Sequence, residues 1–246
     1  MLPKTRHTSS QKSAPQLEQV LTLALEYLES GLAVIPIRLD GSKSPSICWK
    51  PFQHRLPTSD EVRLMFSRLS GIGIPAGTVS GGLEILSFDQ PECFAPWKSF
   101  VSKIVDRLPV IKTANAGFQV FFRCDRISKN TQLAAWEPPD APSFAHAKSR
   151  RHCLNQPVQD TRIRTIGRGG YVVAVGSPAC VDPTQVPYVQ ISGPAFPSIP
   201  KITVEERKLL WMHALEFNCN KLCVADNLPH TSPREQIDRP RPSDCS

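Results

Sequence analysis

The residues able to do chemistry gather in three glycine-punctuated stretches of the chain. In Gly71–Asp89, GIGIPAGTVSGGLEILSFD, a glycine turn feeds a short apolar strand that ends on a carboxylate, Asp89. Ile111–Arg123, IKTANAGFQVFFR, and Ile163–Pro178, IRTIGRGGYVVAVGSP, share its style, and the second of these carries Arg164 and Arg168. Carboxylates hold divalent ions, and guanidinium groups hold carboxylates and phosphates. The nearest approach to a metal cluster is His146, His152 and Cys153, in a polar loop without a clear fourth ligand. They read as surface histidines beside an ordinary thiol. The eight cysteines contain no CxxC pair, and only Cys219 and Cys223 lie close together, which excludes a zinc ribbon. The run Lys148–Arg151, KSRR, has the charge to track a phosphate backbone but reads as a solvated surface.

These residues must be positioned by short elements. Apolar residues recur at Leu17, Val20, Leu21, Ala24, Leu25 and Leu28, a helical stripe that Gly31 terminates. Leu32–Ile37 reads as a buried strand, and the turn Asp40–Pro45 leads into WKPFQ. Thr58 caps a second helix over Ser59–Arg68, with Glu61 in its first turn. Strands are predicted at Gly71–Ile74 and Leu83–Asp89, and a helix over Trp97–Leu108. A hairpin joins Val110–Thr113 to Phe118–Arg123 around ANAG, and another strand covers Gly170–Val175. Thr203 starts a last helix over Glu205–Phe217. Residues 1–16 read as a disordered basic arm, 17–218 as one domain, 136–161 as a proline-rich insertion loop, and 219–246 as a disordered tail. Helices and hairpin-connected strands alternate without a βαβ rhythm, so the fold class is α+β, a mixed or antiparallel sheet with flanking helices.

Composition narrows the function classes. With 246 residues, 40% hydrophobic and 21% charged, the chain suits one large globular domain. No apolar run approaches the ~20 residues that cross a bilayer, and the polar N-terminus lacks a signal-peptide core, so a cytoplasmic location and no membrane partner are expected. A net charge of +7 favours a polyanionic partner. No GxxxxGK phosphate loop is present, so motor activity is not expected.

The colinear segments ALEYLESGLAVIPI, GSKSP…WKPFQHRLPTSDEV, GIPAGTVSGGLEIL, GGYVVAVGSP and ITVEERKLL resemble the bifunctional primase/polymerase N-terminal (prim-pol) domain. This domain belongs to the archaeo-eukaryotic primase superfamily and is found in mobile elements and their hosts. The resemblance covers roughly residues 17–218. It implies a primase-like fold with a cleft on the sheet, and template-directed synthesis of primers or DNA from nucleoside triphosphates. It also implies Mg²⁺ or Mn²⁺ as cofactor, a single-stranded DNA or RNA template, and a separate helicase as partner. In such chemistry two ions neutralise charge developing on the phosphoryl oxygens.

The family's motifs fall on altered residues here. Its Asp-x-Asp pair, alternate residues on one strand face, falls at Ser87 and Asp89. Its triphosphate-binding histidine falls at Gln119, after Gly117, and its third acid at Arg164, with Arg168 replacing a further acidic residue. Glu84, three positions before Ser87, projects to the opposite strand face. Asp160 shares parity with Arg164 but stands about 13 Å away, at roughly 3.3 Å per residue. One carboxylate beside a guanidinium does not hold two dications, and Arg164 is suited to pair with Asp89 or a triphosphate. Asp89 is the sole remaining metal ligand by resemblance. Lys43 and Lys50 fall near the nucleotide or nucleic-acid face, while Trp49 and Phe52 read as core aromatics before base-stacking ones. The leading reading is a catalytically impaired member, a pseudoenzyme that retains nucleotide or single-strand binding. Its rivals are an active polymerase with a rearranged metal site and a non-catalytic structural or interaction fragment.

Overall fold

The computed structural model describes residues 13–136, 160–196 and 198–218. The sequence-predicted arm, insertion and tail, with His146, His152, Cys153, Lys148–Arg151, Cys219 and Cys223, fall wholly or mostly outside these residues. The elements in chain order are α1 (Ser13–Glu29), β1 (Ile35–Ile37), α2 (Ser59–Met65), β2 (Gly71–Pro75), β3 (Leu83–Phe88) and α3 (Phe94–Val105). Then come β4 (Val110–Lys112), β5 (Phe118–Arg123), β6 (Thr131–Trp136), β7 (Asp160–Ile166), β8 (Tyr171–Val173), β9 (Val189–Ser192) and α4 (Val204–Leu215).

Local chemistry sets the helix ends. On α1 the residues Val20, Ala24 and Tyr27 are buried at helical spacing. The helix stops where Gly31 adopts φ +74°, its N–H bonding the Leu28 carbonyl while that of Leu32 bonds Tyr27. Thr58 and Glu61 form a reciprocal capping box at the start of α2, and Thr203 and Glu206 do the same for α4. The Arg55 fork, then the Thr58 amide, draw the Glu61 carboxyl down to about 2. α2 ends at Met65 rather than Arg68, and α3 begins at Phe94, three residues before the predicted start. Pro96 fits α3 because a proline in the first turn gives up no intrahelical hydrogen bond.

Two sheets form, of order β1-β2-β8 and β6-β7-β3-β5-β4-β9, and their strand pairs are all antiparallel. One apolar core joins α1, α2 and the smaller sheet to one face of the larger sheet, through Leu83, Ile85, Ile111, Phe121 and Ile166. A second core lies on the other face, where α3 and α4 cover Leu86, Phe88, Val120, Phe122 and Ile163. The central strand β3 is therefore buried along its whole length. Trp97 in α3 donates its indole N–H to the Leu210 carbonyl at 3.1 Å and ties the two helices together. The Arg207 guanidinium pairs through Nε and Nη2 with Glu84, which is fully buried. Among the described residues no helix is long and apolar enough to cross a membrane.

Candidate active site

Strand parity builds the site. Along β3, Leu83 and Ile85 face the first core and Leu86 and Phe88 the second. Ser87 extends the odd-numbered set to the strand end. The register places it directly opposite Gln119 on β5 and Arg164 on β7. Three positions far apart in sequence thus form one row across adjacent strands, with neighbouring Cβ atoms about 4.5–5.5 Å apart. Asp89 follows at the mouth of the row, its N–H bonded to the Arg162 carbonyl at 2.9 Å.

The row floors a cleft of about 390 Å³ that opens between the two sheets. Tyr171, Val172 and Val173 of β8 line it from the smaller sheet, with Ile166, Tyr188 and Lys43 also on its walls. Thr113 and Asn115, from the turn between β4 and β5, complete the lining. Asp89 is the one carboxylate among these lining residues.

That carboxylate is already engaged. Arg164 brings Nε within 3.1 Å of Asp89 Oδ2 and donates from Nη2 to Oδ1 at 3.5 Å. The Ser87 hydroxyl donates to the same Oδ1 at 3.1 Å. Glu84 points into the second core and is saturated by Arg207. Asp160 begins β7, four residues from Arg164. A Mg²⁺ pair needs several anionic oxygens converging at about 2.0–2.1 Å. The cleft offers a single carboxylate, clamped by a cation, and among the described residues no group of His, Cys, Asp and Glu is arranged to hold a metal. This donor set does not fit the metal pair.

Lys43 reaches the cleft from a constrained turn. Its φ is +57°, uncommon for a residue with a side chain, and the Tyr171 hydroxyl donates to its carbonyl at 3.0 Å. Its ammonium lies 2.6 Å from Asp182 Oδ2, a carboxylate with no exposed side-chain surface. Thr184 donates to Asp182 Oδ1 from its amide and its hydroxyl, at 3.0 and 2.8 Å. The Tyr188 hydroxyl adds a longer contact of 3.3 Å to Oδ2. Burial pushes the Asp182 carboxyl up, but Lys43 and Thr184 together outweigh it and hold its pKa below the ordinary value. Burial, then Asp182, push the Tyr188 phenol up.

A family model for the bifunctional DNA primase/polymerase N-terminal domain matches residues 24–202, well over half of the chain. The chain belongs to the prim-pol family. Its kind is the DNA primase/polymerase-like nucleotidyltransferases, which bind nucleotides and a nucleic-acid template. No curated protein matches the chain in sequence.

Of the motif positions read from sequence, this prim-pol chain brings Ser87, Asp89, Gln119, Arg164 and Lys43 into one cleft. Gly117, Lys50 and Arg168 do not line it. Gly117 is buried, and a side chain there would press into the Phe88 carbonyl oxygen, so close approach of β3 explains the glycine. Lys50 is exposed on the 3₁₀ turn Lys50–Gln53. Arg168 is exposed and donates to the Ile127 carbonyl at 3.0 Å. Phe52 is buried in the first core, and Trp49 packs edge-on against Tyr171 at 5.1 Å, so both serve packing. Asp182, Tyr171 and Tyr188 escaped the sequence reading. The only local signal was the Asp-Pro-Thr turn chemistry around Asp182, which carries no hint of a lysine 139 positions away.

Proposed function

We propose that this prim-pol domain binds a nucleotide or the end of a single strand in the inter-sheet cleft and does not polymerise. The Arg164–Asp89 ion pair carries the reading. A guanidinium stands opposite Ser87, where nucleotidyl transfer requires a carboxylate, and it occupies the one acid left. Lys43 and Arg164 line the cleft, each oriented by a carboxylate partner, and offer N–H donors to a phosphate without any metal. Nothing within the cleft favours a rearranged metal site, because Glu84 is committed to the far face and Asp182 to Lys43.

The test is labelled-nucleotide incorporation on primed and unprimed single-stranded templates with Mg²⁺ or Mn²⁺. The chain as it stands is compared with a Ser87→Asp, Gln119→His, Arg164→Glu variant. The expected result is no extension by the parent and nucleotide binding that survives EDTA. Extension by the parent chain defeats the proposal, and so does the absence of nucleotide or oligonucleotide binding at millimolar concentration.

A further inference from the structure

The turn that joins β7 to β8 carries positive charge just outside the cleft. Ile166 and Tyr171, on either side of that turn, both line the cleft, and Arg168 stands between them in sequence. The loop between β5 and β6, residues 124–130, is clamped against the same turn. The Arg168 N–H donates to the Ser128 carbonyl at 2.9 Å and its Nη2 to the Ile127 carbonyl at 3.0 Å, while the Gly167 N–H donates to Asn130 Oδ1 at 3.0 Å. A Cβ at Gly167 would collide with the Ser128 carbonyl oxygen, so the glycine permits this close approach. Backbone pairing then sets Lys129 beside Arg168 in parallel register. Residues paired in this way stand about 4.7–4.9 Å apart and send their side chains to the same face. Two like charges so placed repel. Both residues are exposed, as is Arg126 in the same loop, and no carboxylate among the described residues pairs with any of the three. The adjoining acid, Asp125, is taken by Lys201 at 2.7 Å. The fold gains nothing from the second charge, whereas an anionic oxygen between the two is held by both.

We infer that Lys129 and Arg168 grip the phosphate backbone of a single strand whose end occupies the cleft. This rests on the cleft-binding reading above and adds a contact outside the cleft. Phosphates repeat along a strand, so one anchored in the cleft presents further anions to the patch beside it. Arg168 lies four positions beyond Arg164, at most about 14 Å along the chain, a distance that a few nucleotides cover. The strand is single because a cleft of about 390 Å³ is of small-ligand size and admits a terminal nucleotide, not a duplex.

The experiment titrates the full chain in EDTA with two probes. A labelled oligothymidylate of about 12 nucleotides is followed by fluorescence anisotropy over a range of salt, and ATP is followed by calorimetry. The parent binds the strand more tightly than ATP. Lys129→Gln and Arg168→Gln each weaken strand binding several-fold at low salt. Each also reduces the slope of log affinity against log salt by about 0.7, the loss of one phosphate contact on a single strand. ATP affinity is unchanged in both. The Lys129 side chain makes no hydrogen bond or ion pair with the described residues, so Lys129→Gln folds with an unchanged or higher Tm. Lys103→Gln, which removes an exposed charge from α3, leaves the slope as in the parent. Strand affinity and slope that match the parent in both patch variants overturn the inference and leave the cleft reading standing. So do equal losses for ATP and the strand, a slope that falls as far in Lys103→Gln, or a duplex of the same length bound as tightly as the strand. Failure of both probes to bind the parent overturns the cleft reading as well.

Discussion

Replacing Arg207 by methionine isolates the carboxylate that lies behind the site. Glu84 has no exposed side-chain surface and takes both Nε and Nη2 of Arg207, which also donates to Ser128 Oγ at 3.1 Å. The same guanidinium lies 4.0 Å above the Trp211 ring. Arg207→Met therefore leaves a buried charge without its partner, at a cost of about 3–5 kcal/mol. At about 2–4 °C per kcal/mol for a domain of this size, Tm falls by about 6–20 °C. Removing the charge from both sides behaves differently. Glu84→Leu with Arg207→Met exchanges a costly ion pair for apolar packing and returns stability to within about 1 kcal/mol of the parent. Urea unfolding followed by circular dichroism measures all three variants and closes a double-mutant cycle. The pair faces the second core, away from the cleft, so nucleotide affinity in the double variant equals that of the parent. A single-variant cost below about 1 kcal/mol refutes the closed ion pair. Loss of cleft binding in the double variant refutes the division of the sheet into two independent faces.

Three further outcomes are expected. Burial, then the Glu26 carboxylate, raise the Tyr27 phenol to about 12. A raised folded-state value gives stability that is complete below about pH 10 and is lost as pH climbs toward 12, by about 2 kcal/mol. Alkaline unfolding of the parent shows that slope, and Tyr27→Phe flattens it while losing about 1 kcal/mol at neutral pH with the bond to the Val175 carbonyl. Asp182 has a depressed value, so its stabilisation holds above the ordinary carboxylate range and disappears as pH falls below it. Asp182→Asn removes that acid-side loss, and by releasing Lys43 weakens nucleotide binding several-fold in the same calorimetric titration. Gly117→Ala drives a methyl group into the β3 backbone and lowers stability by about 1–3 kcal/mol in urea unfolding, even though Gly117 does not line the cleft.

The helices and the hairpin around ANAG were legible because their signals are local. Thr58 with Glu61, Thr203 with Glu206, and Gly31 after Leu28 each fix an end within four residues. Strands β6 and β9 were not foreseen. TQLAAW carries no β-branched run, and VQIS lies among prolines that mask a four-residue edge strand. The predicted strand Leu32–Ile37 shrinks to Ile35–Ile37, because Ala33 gives its N–H to the Ser80 hydroxyl at 3.0 Å. Within the site, the family motifs located Ser87, Asp89, Gln119 and Arg164, and strand parity explains why they converge. The Lys43–Asp182 contact depends on two turns brought together by tertiary folding, and no local pattern encodes it.

The row formed by Arg164, Ser87 and Gln119 crosses three adjacent strands of the larger sheet on the floor of the cleft. The demands of folding fall unequally on the row, because Ser87 and Gln119 are buried whereas Arg164 is exposed and accommodates change most readily. The register sets three unlike side chains next to one another on adjacent strands beside an open cleft, so the scaffold is a platform on which new chemistry can be installed.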